Sequence, residues 1–157
     1  MGSKSDYEIV SEAAKTLEKF GVKYELIISS AHRSPKRTSE YVANAEKKGA
    51  KVFIAAAGMA AHLAGAIAAN TTKPVIGIPM AGSALSGVDA LYSTVQMPSG
   101  MPVATLAIGK AGAINAAYLA VQILALEDEG LAKELKADRE AKIKALEEDS
   151  SKVEVIL

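Results

Sequence analysis

Residues 52–78 read VFIAAAGMAAHLAGAIAANTTKPVIGI, and their order decides the fold. Residues 52–56 form a short apolar run of strand length, closed by Gly58. Residues 60–69 are apolar nearly all round, as in a helix buried between layers. Residues 74–78 are a second strand-like run. Strand, helix and strand in succession make a crossover unit whose strands lie parallel, because the connection returns right-handed to the same side.

The alternation extends in both directions. Upstream, Ile9, Val10, Ala13, Ala14, Leu17 and Phe20 share one face of a helix over residues 7–20, with Ser5 and Glu8 as a capping box and Gly21 as its stop. Residues 24–28 read as a strand, and residues 35–47 as a helix started by Pro35 and closed by Gly49. Downstream come a short helix at 88–95, a strand at 103–108, and two helices at 111–126 and 131–147. The pattern predicts a three-layer α/β fold, a flavodoxin-like (Rossmann-type) parallel sheet with additional C-terminal helices. A Gly-Ser turn into a helix normally follows a strand, yet only Met1 precedes Gly2. A first, central strand is therefore expected to be missing from the numbered residues, with further residues upstream.

At 157 residues the chain is read as a single domain spanning 1–157. Its last part, residues 131–157, is expected to be a helix and apolar tail packing on a neighbouring subunit. Half the residues are apolar, but two are Phe and none Trp, so the core is built from Ala, Val, Ile and Leu and its helices pack closely. Eighteen basic residues balance eighteen acidic ones, which gives no general field for nucleic acid; an anionic ligand must be held locally. Cysteine is absent and histidines number two, which leaves no disulfide and little from which to build a metal site. No membrane span or signal peptide is read from the sequence, so a cytoplasmic protein with no membrane partner is expected.

In such sheets ligands bind beyond the carboxyl ends of the strands, so the loops there carry the function. Residues 2–6, 29–34, 58–62, 80–87 and 109–112 should share one rim. The first offers free amides and the hydroxyls of Ser3 and Ser5 at the positive end of a helix, which suits a phosphate or ribose, and Asp6 suits ribose hydroxyls. Taken alone, the same loop reads first as a plain cap. His32 beside Arg33 joins a residue type that titrates near ~6.5 to a guanidinium that grips anions, although a solvated pair before a helix start has the same appearance. His62, at the head of an apolar helix, reads alone as a structural, buried histidine.

These motifs together resemble class I PurE. The resemblance rests on Gly2-Ser3-Lys4-Ser5-Asp6, Ser30-Ala31-His32-Arg33-Ser34-Pro35, Ala60-Ala61-His62-Leu63, Leu85-Ser86-Gly87-Val88-Asp89 and Val95-Gln96-Met97-Pro98, in that order, and on residues 100–124. It implies a flavodoxin-like subunit and a homo-octamer with sites near subunit contacts. The implied enzyme is an isomerase that interconverts N5-carboxyaminoimidazole ribonucleotide and 4-carboxyaminoimidazole ribonucleotide, with a small-molecule ribonucleotide substrate and no cofactor. It also implies His32 as the proton-transfer residue, Ser3, Asp6 and Arg33 as substrate-binding, and Ser30 with Gly58, Ala61, His62 and Leu63 as the lining. Met59 stands where that family commonly has glycine and Ala64 where it has proline. Arg33 and Ala61-His62-Leu63 favour the mutase over a class II-like carboxylase using free CO2; a non-catalytic nucleotide-binding module is the reading from another class.

Overall fold

The computed structural model describes residues 1–153 and Val155. After a 3-10 turn at Lys4–Asp6 the elements are α1 (Tyr7–Lys19), α2 (Pro35–Lys47), β1 (Phe53–Gly58), α3 (Leu63–Ala68), β2 (Val75–Met80), α4 (Val88–Val95), β3 (Ala104–Thr105), α5 (Lys110–Leu124) and α6 (Glu129–Val153). The strands are parallel in the order β1-β2-β3, with Phe53 opposite Val75 and Ile76 opposite Ala104. Helices cover both faces of this sheet, as the alternation predicts. The apolar tail residues Ile156 and Leu157 lie outside the described residues.

Small residues let the layers close tightly. Ala113, Ala116, Ala117, Ala120 and Val121 of α5 are buried against Val10, Ala13 and Leu17 of α1 and against Ile76, Ile78 and Met80 of β2. The opposite face joins Val42 and Ala45 of α2 to Leu63, Ala64 and Ile67 of α3 and to Phe53 and Ala55 of β1. Gly112 is part of this economy, since a methyl there would be driven into the Ala107 carbonyl.

Four expectations are corrected. Residues 24–28 form no strand: among the described residues the one bond to their backbone comes from the Met1 ammonium, so a ladder has nothing to build on. The Ser5–Glu8 capping box is replaced by the 3-10 turn, in which Ser3 Oγ accepts the Ser5 N–H at 3.3 Å. α3 starts only at Leu63 and the last strand shrinks to two residues, because the Gly58–His62 loop and the loops around β3 turn off early to form the rim.

α6 docks through its first half. Leu131 and Leu135 pack on the α1/α5 cluster, and Asp138 accepts bonds from Lys19, from Tyr118 Oη at 2.8 Å and from Lys142 at 3.0 Å. Burial alone would raise the Asp138 carboxyl, but the donors Lys19, Lys142 and Tyr118 outweigh it and hold it at about 2. A carboxyl held low stabilises the fold above its unfolded value, and the gain is lost as pH falls toward about 2. Asp138→Ala should therefore lower the thermal midpoint at pH 7, by a few degrees up to about 10 °C. Melting curves at pH 7 and near pH 2.5 should show the deficit shrinking in acid.

Candidate active site

Three of the five expected loops are tied together directly. Ser3, Ser5 and Asp6 form a compact turn in which Ser5 Oγ donates to Ser3 Oγ at 3.0 Å and lies 3.3 Å from Asp6 Oδ1. The second loop is closed by Ser34, whose N–H and hydroxyl both donate to the Ser30 carbonyl, at 2.9 and 3.0 Å. Arg33 spans the two loops. Its Nη2 donates to the Gly2 carbonyl at 3.1 Å, and its Nε and backbone N–H both reach Ser30 Oγ, at 3.4 and 3.2 Å. The guanidinium is exposed and keeps further N–H groups for an anion.

The third loop meets the second through histidines. His32 Nε2 lies 2.5 Å from His62 Nδ1, with the rings edge to face. One nitrogen must donate and the other accept, so the contact holds only while at least one of those two nitrogens is unprotonated. Both rings are exposed to the space above the sheet. This corrects the buried, structural reading of His62: it precedes α3 instead of lying within it, so only Ala61, Leu63 and Ala64 face the core. Met59, in the same loop, holds φ +56°, a left-handed conformation that costs a side-chain-bearing residue of order 1 kcal/mol and suits glycine.

The remaining loops complete the rim at the ends of β2 and β3. Ser83 Oγ donates to Asp89 at 2.8 Å, and Gly109 N–H to the Pro79 carbonyl at 2.9 Å. Gly87 caps α4 at φ +89°, where a Cβ would lie 2.7 Å from Ile108. No side chain of these two loops reaches His32 or Arg33 among the described residues.

Two positions escaped sequence reading. The Gly2 carbonyl is a tether for Arg33, and the His32–His62 contact joins residues thirty apart; neither leaves a signal in spacing. A cavity of about 510 Å³, lined among others by Met1, Ile54 and Ala56, includes neither His32 nor Arg33 in its walls.

The AIR carboxylase family matches residues 1–145. The chain belongs to this family. Among AIR carboxylase relatives, the N5-carboxyaminoimidazole ribonucleotide mutase of Haemophilus influenzae is 56% identical over 89% of this chain and 85% of its own length. The mutase of the same name from Escherichia coli K12 is 53% identical over 90% of this chain and 83% of its own. The crystal structure of Treponema denticola PurE superposes with a TM-score of 0.87 at 29% identity, covering 99% of this chain and 96% of that one. The AIR carboxylase fold thus places His32, Arg33, His62 and the Ser3–Asp6 turn on one rim.

Asp6 is only 9% exposed, and loss of hydration pushes its carboxyl up, against the opposing pull of Ser5, the Ser3 backbone and the Met1 ammonium. With the folded value raised, its contribution is complete in acid and is lost as pH rises through that value. Asp6→Asn should then melt above the parent at pH 7, and the gap should close below about pH 4. A midpoint at pH 7 equal to or below the parent's would show that Asp6 is not strained by burial.

Proposed function

We infer that this chain interconverts N5-carboxyaminoimidazole ribonucleotide and 4-carboxyaminoimidazole ribonucleotide, moving a carboxylate from the exocyclic nitrogen to ring carbon 4. The observation that carries the reading is the pairing of an exposed imidazole with an adjacent guanidinium on the ligand rim, in a chain more than half identical to mutases. The Ser3 and Ser5 hydroxyls, the amides of their turn and Arg33 hold the charged end of the nucleotide, while Asp6 accepts from ribose hydroxyls. Ser30 and the loop with Gly58, Ala61, His62 and Leu63 line the site.

The chemistry needs one proton moved twice. His32 gives a proton to the exocyclic nitrogen as the N–C bond of the carbamate breaks, leaving amine and CO2. Ring carbon 4, made electron-rich by the amine, attacks the retained CO2 and forms the new C–C bond. Carbon 4 then returns its proton to His32, which restores the starting state. His62, against His32, orients the ring. A rim closed over the substrate keeps CO2 from escaping. The assembly is a homo-octamer working in the cytoplasm, and its subunits are single domains.

Incubation with either carboxylated isomer, with and without bicarbonate, tests the reading. A mutase interconverts the isomers without bicarbonate. A carboxylase of free CO2 instead requires aminoimidazole ribonucleotide and bicarbonate, and a binding module converts nothing. His32→Asn should retain nucleotide binding and lose at least ~10²-fold in kcat; an unchanged rate would remove His32 from proton transfer. Arg33→Ala should raise KM at least ~10-fold, as expected for a lost charge-assisted contact of ~1.5–3 kcal/mol, with a smaller change in kcat. An unchanged KM would discredit the anion-binding assignment.

A further inference from the structure

Met59 is strained, and nothing in its own subunit offsets the strain. At φ +56° it holds the left-handed conformation in which a Cβ is crowded. The turn cannot relax, because it is held at both ends. Gly58 is paired with Met80 at the end of β2, where an added Cβ would lie 3.4 Å from the Met80 carbonyl oxygen. On the far side His62 N–H donates to the Ala60 carbonyl at 2.8 Å, and Ala61 and Leu63 are buried. Burial of the side chain would compensate, yet Met59 is 64% exposed and joins neither apolar cluster. Strain that no packing offsets points to a role outside the core.

The surroundings of Met59 indicate that role. The three loops joined by Arg33 and by the two imidazoles present mostly hydroxyls and titratable or charged groups, and Met59 is the one large apolar residue exposed on them. It stands one residue past Gly58 and three before His62, whose Nδ1 lies 2.5 Å from His32 Nε2. A polar rim suits a ribonucleotide, whose phosphate and hydroxyls take hydrogen bonds. Carbon dioxide released beside His32 is small, uncharged and without a net dipole, so the groups that hold the nucleotide give it little grip. An unbranched thioether is apolar, polarizable and adaptable, and it can close over such a molecule without a fixed fit.

We propose that Met59 is the cover that retains carbon dioxide between the two steps of the reaction, and so decides whether the released carboxyl returns at ring carbon 4 or is lost to solvent. The inference rests on the mutase reading given above. Once the N–C bond is broken, two fates compete: attack on CO2 by carbon 4, or escape of CO2 with release of aminoimidazole ribonucleotide. The Met59 side chain, carried on the loop that sets His62 against His32, slows the escape and takes no part in proton transfer. Its left-handed backbone is what displaying an apolar side chain on an otherwise polar rim costs.

Isotope exchange reads this competition directly. Unlabelled N5-carboxyaminoimidazole ribonucleotide is converted in ¹³C-bicarbonate, and two quantities are followed: the ¹³C fraction of the first 4-carboxyaminoimidazole ribonucleotide formed, and the aminoimidazole ribonucleotide released, each corrected for the enzyme-free rate. The parent should form mainly unlabelled product, and mainly labelled product would overturn retention. Met59→Gly, which relieves the strain and should melt no lower than the parent, should raise the ratio of escape to transfer about tenfold, the scale of one lost apolar contact. Met59→Asn, polar and tolerant of the left-handed region, should leak in the same way, while Met59→Leu should keep the parent's ratio. A Gly variant with the parent's ratio would overturn the proposal even if its kcat fell, since that pattern means the residue only orients the His62 loop. A Gly variant of lower light-scattering mass than the parent would assign Met59 to a subunit contact and overturn it as well. A parent that converts neither isomer would bring down the mutase reading, and the cover with it.

Discussion

Three backbone hydrogen bonds hold Met1 and Gly2 between the Ile27–Ser29 stretch and Ala56, and the rim inherits its geometry from them. They place the Gly2 carbonyl where Arg33 can reach it, which draws the second loop over the first. They also set the start of the turn from which α1 departs. Because Met1 is buried with α1 and α5, the same anchor is locked from below by apolar packing. A buried ammonium at this point is unfavourable, and desolvation holds its pKa below the usual range even though Asp6 pulls it up.

Above that anchor the molecule trades stability for chemistry. Asp6 is held in a poorly hydrated place where its negative charge is disfavoured, yet only there does it face the rim beside Ser5 and Ser3. Met59 accepts a left-handed backbone so that the third loop can turn sharply and present His62 to His32. Beneath these groups, alanines of α5 lie flush on β2, and no buried side-chain nitrogen or oxygen lacks a partner among the described residues. Strained groups cluster on the rim.

The two halves of α6 contrast in the same terms. The first half of α6 is fastened by a carboxylate that collects Lys19, Lys142 and Tyr118, while its second half carries apolar side chains into solvent. Among the described residues, no helix is long and apolar enough to cross a membrane.

Much of this was legible in the residues themselves. α2 and α4 appear where Pro35, Gly49 and the apolar spacing place them, and β1, β2 and α5 fall within two residues of expectation, since local periodicity reports which face is buried. His32, Arg33 and the Ser3–Asp6 turn were recognisable from their motifs. Contacts between distant residues were not. The loss of the strand at residues 24–28, the exposure of His62 and its contact with His32, and the Arg33 tether all depend on which segments lie side by side. Sequence alone determined the elements and the chemical groups, because these follow from neighbours along the chain; tertiary structure decided pairing, exposure and reach, because those follow from neighbours in space.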